Sequence, residues 1–453
     1  MFVLLYSMKK LIIFVLFVLL LPTVLADGMV IDYYDRYWHI HGEDQQLAAI
    51  NYENGYQDMI LTVDMDEIRG EKAVWLFPVP AAPEKTVIDI VDQFPQFYGY
   101  DVKTQAERKI RTTFDMIRLS QIYTFPFQRM YIGAFRALED TSLEVAKTAG
   151  VTVHEHIEKY GLTTELVSTQ DGTILWNYLA LKGLELPEAS KSIINEYIGG
   201  DYSFVVSWIS NTTEYKGENE EIKPTPPYPP YLKRTIGIEI TFPTDKIYFP
   251  LKPTSVYGSK RVPALIYVMG HVTPELYSEI KTDSEVRYYT QRIIPPYEVS
   301  PFFRNGKKDY TLIRINPPSK YLTKDLWIED KAPADIARAK FFAKYSFAYG
   351  LIAFILASML ASLFAGLIFF RKDVSIIKLA FFGLWNLLSI IGVIIAVFFL
   401  KTKQLDPKLA KQLKEKGLVV RARDIRKLGF VILFSISFII LTLILEYSLK
   451  LLF

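Results

Sequence analysis

Apolar and polar positions follow three rhythms along this chain. The stretch "TIGIEITF" (235–242) alternates strictly, with Ile236, Ile238, Ile240 and Phe242 on one side, and predicts a half-buried strand. The run from Met29 to Met65 is rich in β-branched and aromatic residues, and Asn54-Gly55 inside it predicts a tight hairpin between two strands. Similar patterns predict strands over 151–159, 203–209, 264–269, 288–294 and 311–315.

A helical rhythm intervenes. Asp171-Gly172 opens an apolar-periodic stretch that stops at Gly183, and 187–198 begins with Pro187 and ends against Gly199-Gly200. A longer helix is expected from about Val102 to Ile122. Strands and helices do not alternate regularly, so the expectation is an α+β domain with a largely antiparallel sheet rather than a parallel βαβ fold. No fixed-period repeat is visible.

The third rhythm is uninterrupted apolarity. Tyr345 to Phe370 carries no charge over 26 residues, Ile376 to Leu400 carries only Lys378, and a third run from Phe430 continues past Glu446. As helices at ~1.5 Å per residue these segments, about 345–370, 376–400 and 430–450, are long enough for a bilayer core of ~30 Å. Near the N-terminus, Lys9-Lys10, the apolar run Leu11 to Leu21 and the small-residue sequence Val24-Leu25-Ala26 have the form of a secretory signal. The expected organisation is therefore a signal over 1–26, an exported α+β domain over 27–340 with a break into subdomains near 211–231, and an α-helical C-terminal membrane anchor over 341–453. The expected location is the cell membrane, multi-pass, with the large N-terminal domain outside the cytoplasm.

Charge divides at the same boundary. Residues 27–340 hold 35 Lys and Arg against 44 Asp and Glu, whereas residues 341–453 hold 15 against 5. An acidic exported domain excludes nucleic acid as a partner, since phosphates require clustered basic side chains. The loop 401–428 holds ten Lys and Arg against three Asp and Glu. Asp406, Pro407 and Gly417 delimit a short basic helix in it, suited to an anionic leaflet. The loop creates a conflict, because three plain crossings from an exported domain place it outside, while the positive-inside bias places it inside. Either segment 376–400 crosses as an ordinary span with a polar packing face, the expectation taken first, or it dips and returns near Asn386, Ser389 and Gly392.

Candidate chemistry is sparse. There is no cysteine, so an exported domain must be held by burial rather than cross-links. Asn211-Thr212-Thr213 is the one glycosylation sequon, with Asn211 as acceptor. His39 and His41, and His154 and His156, form two His-x-His pairs; on a strand, residues two apart share a face and present two imidazoles to one metal. Strand alternation on a solvent face accounts for the same pairs without metal. Gly-x-Ser-x-Gly, His-Glu-x-x-His and phosphate-cradling loops are missing, no cofactor is indicated, and an enzyme is the less favoured reading. In "WLFPVPAAP" (75–83), Pro78 and Pro80 mark a strand exit or edge; Trp75, Phe77, Pro78 and Pro80 are also candidates for docking a partner.

Several segments carry a family resemblance. Glu43, Gln46, Ala48 and Ile50 in "GEDQQLAAI", then Gly55, "AVWLFPVPAAP" and Phe94, and later "LVSTQDGTILWNYLALKGLELP", "EYIGGDYSFVVSWI" and "GIEITFPTDKIYFPL", resemble an uncharacterised prokaryotic domain-of-unknown-function family of exported proteins. The resemblance implies an exported, membrane-anchored architecture over roughly 27–280 and carries no known activity; members often have cysteines near the mature N-terminus, which this chain lacks. The expected function is a membrane-anchored binding or structural module whose partners are the bilayer and another membrane protein or a second copy. The alternative is a metal-dependent hydrolase using the His pairs.

Overall fold

The structure is a computed structural model. It describes residues 29–62, 72–121, 156–218, 236–291, 309–400 and 422–452, except 35, 36, 41–45, 93, 96, 98 and 120, together with 302, 411, 412, 414 and 415. The signal-like segment, the loop 219–235 and most of the basic loop lie outside these residues. The chain divides into two compact units, one of residues 1–101 and 149–333, the other of 102–148 and 334–453. The expected contiguous domain over 27–340 is thus interrupted: the helix Val102–Leu119 groups with the C-terminal helices.

Among the described residues the first unit contains two large sheets. One has the strand order Tyr37–Ile40, Met29–Tyr34, Lys72–Val79, Ser203–Ile209, Leu162–Val167, His156–Lys159. The other runs Val87–Val91, Gly237–Pro243, Tyr56–Thr62, Gln46–Glu53, Ala264–Met269, Asp309–Ile315, Ser284–Gln291, Gly99–Asp101. Every described pairing is antiparallel except Gln46–Glu53 with Ala264–Met269, so the antiparallel α+β expectation holds at that level. A small third sheet joins Ile247–Phe249, Leu326–Glu329 and Thr273–Pro274.

Local chemistry explains the pairing. Asn54 (φ 53°) and Gly55 (φ 79°) both adopt the left-handed region, which a two-residue hairpin with primed-turn geometry requires. Ile236, Ile238, Ile240 and Phe242 are all fully buried in one core, as their alternation predicts. That core contains inward side chains of both large sheets, including Trp75, Phe77 and Val205 from one and Ala48, Ile50, Ile266 and Ile313 from the other. The two sheets therefore pack face to face as a sandwich. Alternate residues Val74, Leu76, Phe204 and Val206 face the opposite way, where the helices Gly172–Leu181 and Glu188–Asn195 cover them with Leu175, Leu179 and Ile194. Asp171 caps the first of these helices by accepting from the Thr173 N–H at 2.7 Å. One core joins strands from before and after 211–231, so the expected break into subdomains is not present.

The second unit is built around the helix Ser346–Phe369. Its small residues Ala353, Ala357, Ala361 and Ala365 recur every fourth position and are buried, and the helix Ala422–Lys450 supplies Phe430, Phe434 and Phe438 to the same core. Arg426 of the latter donates to the Phe369 carbonyl and to Asp373, so the two helices run antiparallel. Three segments, Ser346–Phe369, Ile376–Phe399 and Asp424–Lys450, are long and apolar enough to cross a membrane.

The middle one does not continue straight. The helix Ile376–Phe382 passes into a 3-10 turn over Gly383–Leu388, Ser389 takes φ 64°, and Ser389–Phe399 returns. The reversal shows in the contacts: a Cβ on Gly392 would collide with the Trp385 carbonyl, seven positions earlier, and in a straight helix these residues are ~10 Å apart. Both arms end near the same helix terminus. Leu379 packs on Gly366, and the Phe398 carbonyl accepts from Lys427 Nζ at 2.9 Å, beside Arg426. Segment 376–400 is thus a hairpin rather than the ordinary span expected first.

The hairpin tip is held by polar side chains. Asn386, fully buried, donates to Ser358 Oγ at 2.9 Å and accepts from Gln121 Nε2 at 3.1 Å. Ser362 Oγ donates to the Leu379 carbonyl at 2.6 Å. Gln121 follows the helix Val102–Leu119, whose buried residues Ile110, Phe114 and Ile117 join the same core, and Arg118 pairs with Glu446 at 2.8 Å.

Two outcomes are expected. Phe77→Ala removes a fully buried ring from the sandwich and should cost about 3–5 kcal/mol, measurable as a lower unfolding midpoint of the purified protein in detergent. Gly383→Ala drives a Cβ into the Ser358 backbone. It should destabilise by about 1–3 kcal/mol, whereas Ala at Leu384, on the same turn, should cost less; equal effects of the two would contradict the close approach.

Candidate functional site

The sequence-derived candidates scatter. Trp75 and Phe77 are fully buried, 5.9 Å apart edge to face, and Pro78 is buried with them. They are core residues, which corrects their reading as a docking surface. Among the described residues, Met29–Tyr34 pairs with the strand Lys72–Val79 as far as Leu76, and Ser203–Ile209 pairs with it on the other side as far as Val79. Val79 then closes the strand and Ala81 N–H bonds back to its carbonyl, so the stretch is a strand exit. Pro80 alone is partly exposed and lines a groove described below.

Of the histidines, His39 lies on the strand Tyr37–Ile40 opposite Asp32, while His41 and His154 fall outside the described residues. His156 is exposed on the strand His156–Lys159, and both its nitrogens face carboxylates: Nδ1 to Glu165 at 2.8 Å and Nε2 to Glu158 at 3.1 Å. The Glu165 hydrogen bond raises the His156 pKa. Burial opposes ionisation of Glu165, yet Lys182 at 2.7 Å, the Tyr178 hydroxyl and His156 together hold its carboxyl below the usual range. This is a satisfied ion cluster. Among the described residues no group of three or more His, Asp or Glu side chains is placed to hold a metal ion. Asn211 caps the helix Thr212–Glu218, accepting from the Thr213 and Glu214 N–H groups, and its side chain is exposed.

A site that sequence reasoning missed lies on the first unit, around the third sheet. Asp325 precedes the strand Leu326–Glu329 and is partly open to solvent while closely surrounded. Its carboxylate accepts from the Tyr197 hydroxyl at 3.0 Å, the Tyr248 hydroxyl at 3.1 Å and the Lys252 N–H at 3.0 Å. Desolvation pushes its pKa up from 3.8 to about 6, against those three donors, which favour the ionised form. Burial next to Asp325 in turn raises both tyrosine hydroxyls well above their ordinary value. The group is therefore a carboxylate clamped by donors whose own protons stay in place.

Asp325 lies at an open depression of about 640 Å³ walled by Tyr202, Tyr277, Thr323 and Trp327. A second depression of about 660 Å³, lined by Pro80, Pro243 and Thr244, shares Glu275 and Trp327 with the first. The two adjoin at Glu275 and Trp327 and together make an extended groove around that tryptophan. Its ring is half-buried and packs on Tyr248 with centroids 5.0 Å apart, while the Tyr277 hydroxyl donates to the Tyr321 carbonyl at 3.2 Å. Both rings are thereby fixed in orientation. The only hint in the sequence was an aspartate set between Leu322 and the apolar run Leu326 to Ile328.

No family model, curated protein or solved structure matches the chain.

The Asp325 environment sets a pH dependence. Because its folded-state pKa lies above its unfolded value, the folded state binds the proton more tightly, so its contribution to stability is full below about pH 4 and is lost as pH rises through about 6. The wild-type protein should therefore gain up to about 3 kcal/mol between pH 7 and pH 4 relative to Asp325→Asn. Parallel unfolding profiles of the two proteins across that range would refute the assignment.

Proposed function

We propose that this chain is a membrane-anchored protein whose β-sandwich unit is an extracytoplasmic binding module, carried on two crossing helices and a re-entrant hairpin. The observation that carries the reading is the hairpin Ile376–Phe399. It returns the chain to the end of the helical unit from which it set out, so the basic loop 401–428 leaves from the same end as Arg371, Lys372 and Asp373. The crossings are then even in number, and the loop lies opposite the start of Ser346–Phe369.

At that start, Lys103 pairs with Asp335 at 2.8 Å, so the two places where the chain enters the helical unit, Val102 and Ala334, share one end. The loop's ten basic residues favour the cytoplasmic side. By continuity the β-sandwich belongs on the other side, which agrees with a signal-like N-terminus and with the resemblance to exported, membrane-anchored proteins. The topology conflict in the sequence disappears without breaking the charge bias. The hairpin's irregular backbone is tolerated at that depth because Asn386, Ser358 and Gln121 cover it. The groove around Trp327 is the surface through which the module acts.

The cysteine-free chain makes the test direct. Single cysteines replace Ser210, exposed on the sandwich, and Gln412, exposed in the basic loop, and intact cells are treated with a membrane-impermeant thiol reagent. Ser210→Cys should label at once, and Gln412→Cys only after lysis. Labelling at 412 in intact cells would remove the hairpin topology; protection at 210 would remove the extracytoplasmic module.

A further inference from the structure

We infer that the groove around Trp327 binds a neutral, polyhydroxylated chain, an oligosaccharide, along a path from Tyr202 past Trp327 to Pro80. This rests on the reading of the first unit as a binding module and names the class of its ligand. Two ion pairs line the groove, Lys252 with Glu196 and Lys246 with Glu275, and Asp245 and Asp325 tip its balance slightly to the acidic side. Lys324 lies over the Tyr277 ring, 5.9 Å from its centroid. Such a lining attracts no phosphate or polyanion, while each ion pair presents donors and acceptors side by side, the pattern that vicinal hydroxyls match.

Two depressions of about 640 and 660 Å³ share Trp327, and so suit an elongated occupant rather than a compact one. Half-buried Tyr202, Tyr277 and Trp327 supply aromatic area at low entropic cost, because each ring is already packed: Tyr202 on Tyr197 at 5.1 Å, Trp327 on Tyr248, and Tyr277 through its hydroxyl. The C–H faces of pyranose rings stack on such surfaces while their hydroxyls reach the flanking charges.

A peptide added as a further strand does not fit, because that mode needs a free sheet edge. Here the third sheet ends on one side in Ile247–Phe249, which is fully buried, and on the other in Thr273–Pro274, two residues of which the second has no N–H. Neither edge offers a ladder. Asp325, in the floor, stabilises the groove rather than reacting, since its oxygens already accept three hydrogen bonds.

The experiment uses the full-length protein in detergent micelles, with cello-, chito- and manno-oligosaccharides as probes, followed by calorimetric titration and saturation-transfer NMR. Saturable binding of at least one series is expected, weakened about tenfold or more by Trp327→Ala and severalfold by Glu275→Gln. Glu275 is exposed, so the second variant leaves the core untouched; an unchanged unfolding midpoint shows that its loss is not a folding defect. Absence of binding by all three series in the folded protein, or binding indifferent to both variants, overturns the inference. Binding of an extended peptide in the same groove also overturns it, but leaves the binding-module reading standing; that reading fails separately if a cysteine at 210 is protected in intact cells.

Discussion

A backbone that turns where there is no water must have its polar groups bonded by the protein, and the helical unit depends on meeting that requirement at one point. The chain reverses at Ser389, and the reversal is paid for by direct contact: Gly383 lies against the Ser358 backbone, and Asn386 links Ser358 to Gln121. Small residues on Ser346–Phe369 make this approach feasible. The same helix turns Ala353, Ala357, Ala361 and Ala365 into the core and receives the phenylalanines of Ala422–Lys450. Toward the hairpin the helix presents Ser358, Ser362 and Gly366, against which Gly383 and Leu379 lie.

The β-sandwich meets a different constraint with ordinary means. A chain without cysteines must be stabilised by burial, and each large sheet commits one face to the shared core. The strand Lys72–Val79 serves both sides at once, Trp75 and Phe77 toward the other sheet and Val74 and Leu76 toward the helices, so that its aromatic residues are lost to any surface role. The polar groove lies at the third sheet, where short strands leave Trp327 and Tyr277 partly uncovered. Asp325 ties that sheet to the turn that follows the helix Glu188–Asn195 and to the strand Ile247–Phe249 by accepting from Tyr197 and Tyr248. One half-enclosed carboxylate thereby sets the floor of the depression, and three donors offset only part of its desolvation.

Much of the fold was legible in the sequence because local periodicity and burial coincide there. The alternation of 235–242, the Asn54-Gly55 turn, the capped helix after Asp171 and the apolar helices all follow from side-chain spacing and backbone preference, which act over a few residues. The absence of charge over 26 residues likewise determined that Ser346–Phe369 can cross a membrane. What local spacing does not carry is which partner an element finds. The apolarity of 376–400 is the same whether it crosses or returns; its path is decided by Leu379 packing on Gly366 while the Phe398 carbonyl reaches Lys427, 29 positions away. The helix Val102–Leu119 was legible as a helix but not as part of the helical unit, since only packing reveals which core takes Ile110 and Phe114. The groove was hidden for the same reason. Tyr197, Tyr248 and Asp325 are unremarkable in a linear chain, and it is long-range closure of the sandwich, through contacts that no short window of sequence contains, that makes them a site.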